Sequence, residues 1–127
     1  MYIHKDTTCK NLNFQVAWEH LDEKERNYCY CLYKASWAGA LCVPHTVSFE
    51  SPALVAILLR YFKGCDFQLL EDRAIAHGAS KEEFHAFMAY SAGIYANLSN
   101  YHSFGHMKFV PELPDFAVFE KILKSHP

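Results

Sequence analysis

Residues 80–98, SKEEFHAFMAYSAGIYANL, contain the clearest helix of the chain. Ser80 and Glu83 form a capping box, in which each side chain accepts a hydrogen bond from the backbone N–H of the other residue. The run that follows is apolar at helical spacing, so one face of the helix is expected to be buried. That predicted face consists of Phe84, Phe87, Met88, Ser91, Tyr95 and Leu98. Small residues in the run, such as Gly93, would let a second helix approach closely.

The segments on either side carry helix signals of the same kind. Asp22 and Glu25 form another capping box, and Ser51-Pro52 places a capping serine before a proline at the first helical position. The predicted helices are 22–40, 51–63, 66–77, 80–98 and 115–125. The other side chains expected on one inward face of their helices are Tyr28, Leu32, Ala35, Leu54, Ile57, Leu58, Tyr61, Phe62, Leu69, Leu70, Ile75, Phe116, Phe119 and Leu123. We predict an all-α fold of four to five helices, in which 1–127 form a single helical domain or part of a lobe, with residues 1–14 extended.

Residues 99–114 lack helical or alternating periodicity and are predicted to form one long loop. Loops longer than about 12 to 15 residues are usually functional or disordered, and this one contains the aromatic residues Tyr101, Phe104 and Phe109. Disorder is not expected for such a composition. Two interpretations remain open: the rings form one wall of an apolar cleft, or they cap the helical core.

The charge and hydropathy patterns of the sequence argue against nucleic-acid and membrane partners. The net charge is -2, and the lysines and arginines are scattered singly, so a phosphate-binding stripe and a nucleic-acid partner are not expected. The longest apolar stretches are far shorter than the roughly 20 residues of a membrane span. The N-terminus carries no signal-peptide pattern. These features predict a cytoplasmic protein with no membrane partner.

Neither a catalytic site nor a metal site can be assigned from the histidines and cysteines. None of the eight histidines precedes a glutamate, whereas helical zinc peptidases need a His-Glu pair to activate the metal-bound water. His102 and His106 are four residues apart, but Gly105 and nearby prolines argue against a helix that would align them. The five cysteines are an odd number and are expected to be reduced. Buried thiols are favoured over a nucleophile, because the sequence alone cannot place a histidine beside Cys9, Cys42 or Cys65. Catalytic residues and metal ligands are therefore predicted to be absent.

The run YSAGIYANLSNYHSFGHMKFVPELP, residues 90–114, resembles the dipeptidyl peptidase III family of zinc exopeptidases. The similarity extends upstream through Trp37-Ala-Gly39 and Ser51-Pro52 and covers nearly the whole chain from about residue 15. The resemblance implies a two-lobed enzyme with a wide cleft, whose upper lobe binds zinc through His-Glu-x-x-Gly-His and a further glutamate. This motif is absent here, so the resemblance implies the N-terminal part of the other lobe.

By the same resemblance, Phe104 would be a ring lining the cleft near the bound peptide, with Tyr101 and Asn100 as further substrate-binding candidates. The family usually has an acidic residue after Ser-Phe-Gly, where this chain has His106. Lys108 still matches the family pattern. The substitution predicts an altered charge balance on a loop whose backbone is preserved.

Two functions follow from these features. In the first, the chain is the N-terminal segment of an enzyme that removes dipeptides from peptide N-termini. The segment would help build the substrate-binding lobe and would be inactive alone, with an oligopeptide substrate and the remainder of the enzyme chain as partners and zinc as the cofactor of the complete enzyme. The alternative is a stand-alone, non-catalytic helical module that binds a peptide or protein through the aromatic loop. An independent hydrolase using its own histidines lacks a motif.

Overall fold

The computed structural model describes residues 2–3, 6–8, 10–103 and 106–126. The helices of this part are α1 (Gln15–Glu19), α2 (Glu23–Gly39), α3 (Val43–Val47), α4 (Ser51–Phe62), α5 (Phe67–Ala76), α6 (Lys81–Asn97) and α7 (Phe116–Lys124). The predicted all-α class is confirmed. The sequence analysis missed α1 and α3, because helices of five residues are too short to show a helical repeat.

Both predicted capping boxes are present. Asp22 and Glu25 begin α2, and Ser80 and Glu83 begin α6, each pair with its two reciprocal hydrogen bonds. Two aspartates cap other helices: Asp66 accepts from the backbone of Gln68 at the start of α5, and Asp115 caps α7. The capping residues therefore fixed the starts of four helices in agreement with the sequence.

The expectation that Ser51 caps α4 is wrong. Ser51 is the first residue of the helix, and its backbone N–H donates to Oγ of Ser48 at 3.1 Å. Because Ser48 satisfies this amide, the hydroxyl of Ser51 is free to turn inward, where it contacts Asn100. Pro52 lies in the first turn, as predicted.

Helix α6 is the centre of the core and packs against α4, α5 and α7. Phe87 is fully buried on it, and four rings surround Phe87 with centroid separations of 5.2 to 6.2 Å. These rings belong to Tyr61, Phe62, Phe84 and Phe119. Tilted and edge-to-face arrangements of this kind add to the stabilisation that comes from burial.

Outside α2, four predicted inward side chains are exposed, the first of them Ile57 on α4, which is 44% exposed. Leu69 and Ile75 on α5 are each 44% exposed, and Phe116 at the start of α7 is 76% exposed. Helix α5 instead turns Leu70, Ala74 and Glu71 toward α6. The Glu71 carboxylate lies 3.2 Å from Lys81 Nζ and 3.4 Å from His85 Nε2, so α6 supplies polar partners that a hydrophobic pattern cannot reveal.

The predicted face of α6 is correct for Phe84, Phe87 and Ser91 and only half-buried at Met88, Tyr95 and Leu98. Tyr90 and Ile94 are buried in addition, because α6 contacts neighbours on more than one side. On α2 none of the predicted inward residues is buried, and no other residue of that helix is buried either.

Replacing Phe87 with alanine should lower the free energy of unfolding by about 3 to 5 kcal/mol, since it removes a buried ring and leaves a cavity among four others. Urea denaturation followed by circular dichroism measures this change. Phe49→Ala is the matched control, because Phe49 is 100% exposed and its loss should change the stability by less than about 0.5 kcal/mol. Equal losses in the two variants would contradict the placement of the core.

Candidate functional site

The loop after α6 folds back on itself and is held against the helical core. Tyr101 and Lys108 form an antiparallel β-bridge, and the backbone N–H of Phe109 donates to the carbonyl of Asn100 at 3.0 Å. Phe109 is fully buried, with its ring 5.8 Å from that of Tyr90 and 5.1 Å from that of His102. For Phe109, the interpretation that loop aromatics cap the core is therefore the right one.

Gly93 allows this close packing of the loop on α6. A Cβ atom at that position would collide with the side chain of Ile3 and would lie 3.3 Å from the ring of Phe109. The predicted role of the small residues was to admit another helix. At Gly93 the neighbours are instead the loop and the N-terminal segment.

Asn100 fixes the loop to the turn before α4. Its side chain is 1% exposed, and its Oδ1 atom accepts hydrogen bonds from the hydroxyls of Ser48, at 2.7 Å, and Ser51, at 3.0 Å. Its Nδ2 atom donates to Glu50 at 3.2 Å. The buried amide is thus satisfied by protein groups, which is the condition for stable burial of a polar side chain. Asn100 consequently holds the loop in place.

Glu50 also joins the loop to α4 through charge. Nζ of Lys108 lies 2.6 Å from Oε1 of Glu50, and both side chains are partly exposed to solvent. The hydrogen bond from Lys108 holds the pKa of the Glu50 carboxyl below its ordinary value of 4.5, and the bond from Asn100 acts in the same direction. The same contact raises the pKa of Lys108 above 10.5. Both groups are therefore charged at neutral pH.

Beside this cluster, Tyr101 lines a cavity of about 530 Å³. The other lining residues are Val43, Val47, Asn97, Ser99, His102, Ser103 and His106. Asn97 shapes the rim, because its Oδ1 accepts from both the backbone N–H and the hydroxyl of Ser103 at 2.9 Å. Two valines and a ring beside amide, hydroxyl and imidazole groups make a surface that can hold both apolar and hydrogen-bonding parts of a ligand.

The predicted site residues occupy different positions relative to this cavity. Tyr101 lines the cavity and is half-buried, whereas the side chain of Asn100 is buried against Ser48 and Ser51. Phe104 lies outside the described residues. His102 and His106 both line the cavity, but among the residues described there is no group of three or more His, Cys, Asp or Glu side chains arranged to hold a metal ion.

Sequence reasoning missed the partners of Asn100. Ser48, Glu50 and Ser51 lie 49 to 52 residues away along the chain, and their side chains meet Asn100 only in the folded protein. No local pattern signals such contacts. Lys108 matches the family pattern, but its ion pair with Glu50 joins residues 58 apart in the chain, so no local pattern predicts it.

The Glu50 carboxyl is expected to titrate below pH 4.5, and Lys108→Met should move the midpoint back toward that value, because the strongest stabilisation of the charged form is removed. Since the pKa is lowered in the folded state, the contribution to stability is complete above pH 4.5 and is lost as the pH falls through the lower folded value. Carbon-detected NMR titration of the Glu50 carboxyl measures both midpoints. Lys24→Met, on the exposed face of α2, should leave the Glu50 midpoint unchanged.

The comparisons with known proteins agree on one group of relatives. No protein-family model matches the chain. The chain is 41% identical over 120 residues to the dipeptidyl peptidase 3 of Homo sapiens, a match that covers 94% of this chain and 16% of the human protein. The dipeptidyl peptidase 3 proteins of Nematostella vectensis and Dictyostelium discoideum are 38% and 30% identical over 109 and 112 residues, covering 82% and 87% of this chain.

The chain thus spans 15% to 16% of the length of the curated relatives it matches. Its described helices include none that is long and apolar enough to cross a membrane. The similarity predicted from residues 90–114 is confirmed. Over 94% of its length, this chain is a homologue of the N-terminal portion of the dipeptidyl peptidase 3 proteins.

Proposed function

We propose that the chain is the N-terminal, non-catalytic segment of a zinc exopeptidase that removes dipeptides from peptide N-termini. The observation that carries this proposal is the 41% identity to human dipeptidyl peptidase 3 along 94% of the chain. In the proposed enzyme the segment helps to build the substrate-binding lobe, which faces the zinc-bearing lobe across a cleft. Its partners are the oligopeptide substrate and the remainder of the enzyme chain, and its proposed location is the cytoplasm.

Neither the sequence motifs nor the described residues of this chain fit a zinc site. No histidine is followed by glutamate, and the described residues contain no group of three suitable side chains. Zinc peptidases generally use three protein ligands and keep one position open for water. We therefore assign zinc to the remainder of the polypeptide and give this segment a role in substrate binding only.

Within the segment, Tyr101 and Phe104 are proposed to contact the peptide. Tyr101 lines a cavity of about 530 Å³ that offers both apolar and hydrogen-bonding surface. Asn100 belongs to the same proposed site through its backbone neighbour Tyr101, whose position it fixes by holding the loop on α4. The ring of Tyr101, which adjoins the buried amide of Asn100, would lose little freedom when a peptide binds.

The surface of α2 supports membership in a larger lobe. Helix α2 has no buried residue, although several large apolar side chains on it are more than half exposed. These residues are Tyr28, Tyr30, Leu32, Tyr33 and Trp37. Between α1 and α2 lies an apolar cavity of about 580 Å³, lined in part by Trp18 and Tyr33. Contiguous apolar surface of this kind usually marks an interaction site, and we propose that further residues of the lobe cover it.

The alternative, a stand-alone binding module, uses the same cavity beside Tyr101 and needs no further residues. The two functions differ in the expected behaviour of α2. If the chain is a lobe segment, the apolar surface of α2 should bind other apolar surfaces, including a second copy of the chain. A free-standing module should stay monomeric with α2 exposed to water.

We expect the 127-residue chain to self-associate at micromolar concentrations, and the double variant Tyr30→Glu/Trp37→Glu to be monomeric, because charges on α2 oppose apolar contact. Sedimentation velocity measures the species present. Ala117→Glu is the control, since its charge lies in the first turn of α7, where the helix dipole tolerates it. A wild-type chain that is strictly monomeric would favour the stand-alone module.

Phe104→Ala is expected to raise KM for peptide substrates about tenfold or more while the zinc content stays constant, since the substitution removes a ring from the proposed cleft wall. The assay uses a chimera in which this chain replaces the matching portion of the human relative. Dipeptide release gives kcat and KM, and elemental analysis gives zinc. The Phe49→Ala chimera is the control. Loss of zinc in the Phe104 variant would contradict its assignment to substrate binding.

A further inference from the structure

The thiol of Cys65 and the imidazole of His126 meet where α4 and α7 end, although they are 61 residues apart in sequence. Sγ of Cys65 lies 3.6 Å from Nε2 of His126. Helix α4 ends at Phe62, and Gly64, with a φ of +71°, turns the chain just before Cys65. His126 follows the C-terminal cap of α7. Two helix ends therefore hold a thiol beside a group that can accept its proton.

The environment keeps this pair accessible and ordered. Both residues are half-buried, so neither is sealed in the core. The ring of His126 packs on that of Tyr61, a residue of α4, with a centroid separation of 5.6 Å. A free cysteine is only a few per cent thiolate at neutral pH, and a neighbouring histidine is one of the arrangements that increase this fraction.

The charges next to the pair favour an anionic reagent. His126 lines a cavity of about 310 Å³ together with Arg60 and Lys124. Lys124 is partly neutralised by Glu120 at 2.7 Å, whereas the described lining of the cavity contains no carboxylate. The described lining does not include Cys65, whose Sγ meets the cavity wall at His126. The two cationic side chains of that lining raise the concentration of anions beside His126.

We propose that Cys65 is a reactive thiol for thiol–disulfide exchange with small anionic disulfides, with His126 as the residue that accepts its proton. In this reaction the Cys65 sulfur attacks one sulfur of the reagent and the disulfide bond of the reagent breaks. A mixed disulfide forms on Cys65, and the other half leaves as a thiolate, which takes up the proton held by His126. Cys65 is oxidised and the reagent is reduced, so no other oxidant is needed.

The test measures the rate at which Cys65 reacts in the intact chain. The anionic reagent is dithiobis(nitrobenzoate), and dithiodipyridine is its neutral counterpart. Samples are quenched with a maleimide at fixed times, digested with trypsin and analysed by mass spectrometry. Cys65 is the only cysteine of the tryptic fragment 64–73, and Cys42 is the only one of fragment 35–60. The expectation of buried cysteines is wrong for Cys42, which is exposed. No hydrogen bond of its thiol occurs within the described residues, so it is the internal reference.

We expect Cys65 to react with the anionic reagent roughly tenfold faster than it does in His126→Asn, which keeps a polar side chain but cannot accept the proton. Added imidazole should restore part of the rate in that variant and leave Cys42 unaffected. Loss of structure cannot mimic this result, because unfolding exposes Cys65 and speeds its labelling. An unchanged or faster rate at Cys65 in His126→Asn would overturn the proposal.

The ligand class is tested separately with Arg60→Gln. This variant should slow the anionic reagent severalfold and leave the neutral reagent unchanged, since only the former is attracted by the guanidinium. Equal effects on both reagents would overturn the preference for anions. Neither result depends on the proposed peptidase role, because the chemistry at Cys65 is measured without a peptide substrate.

Discussion

The buried side chain of Phe87 on α6 lies at the centre of the packing between the core helices. Phe87 contacts rings from α4, α7 and α6 itself, and α5 packs on the same helix through Leu70 and Ala74. Aromatic side chains contribute a large buried area and restrict the geometry of their neighbours. The ends of α4 and α7, and the loop that leaves α6, take their positions from this packing. Both candidate sites lie at these margins.

The second constraint is polar and lies at the edge of the core. Asn100 is buried, and its amide is satisfied by the hydroxyls of Ser48 and Ser51 and by the carboxylate of Glu50. A buried amide left without partners would cost roughly 1 to 3 kcal/mol, so these contacts favour a single loop position over several. The partly exposed Glu50–Lys108 ion pair attaches the same loop to the turn before α4. The loop residues held by these contacts offer a wall for a ligand, consistent with the proposed contribution to a peptide-binding cleft.

Helix α2 contrasts with the rest of the chain. Its capping box and length are those of a well-formed helix, yet Tyr28, Tyr33 and Trp37 are mostly exposed. A helix of this composition in a free-standing domain would normally bury one face. The relatives are about six times longer than this chain, since it spans 16% of the human protein. Further residues of a larger lobe would explain both the apolar surface and the cavity between α1 and α2.

The amino-acid sequence was sufficient for the helical class, for four helix starts and for the similarity to dipeptidyl peptidase 3. Capping boxes, prolines and glycines act on the backbone within a few residues. Asp22 and Ser80 therefore predict helix starts, and Gly64 predicts a helix end, from the local sequence. Motif similarity likewise needs no coordinates. The helical repeat of α5 placed Leu70 correctly but failed at Leu69 and Ile75, because the repeat cannot tell which of two apolar edges meets a neighbour.

Folding supplied the contacts between distant residues. The cluster around Asn100 and the Cys65–His126 pair join side chains about 50 and 61 residues apart, and each depends on how α4 packs relative to α6 and α7. The sequence analysis had left the cysteines without a histidine partner, since spacing along the chain contains no information on such distances. The chemistry of each site depends on which side chains lie close together in space, and the packing of the aromatic core decides which ones do.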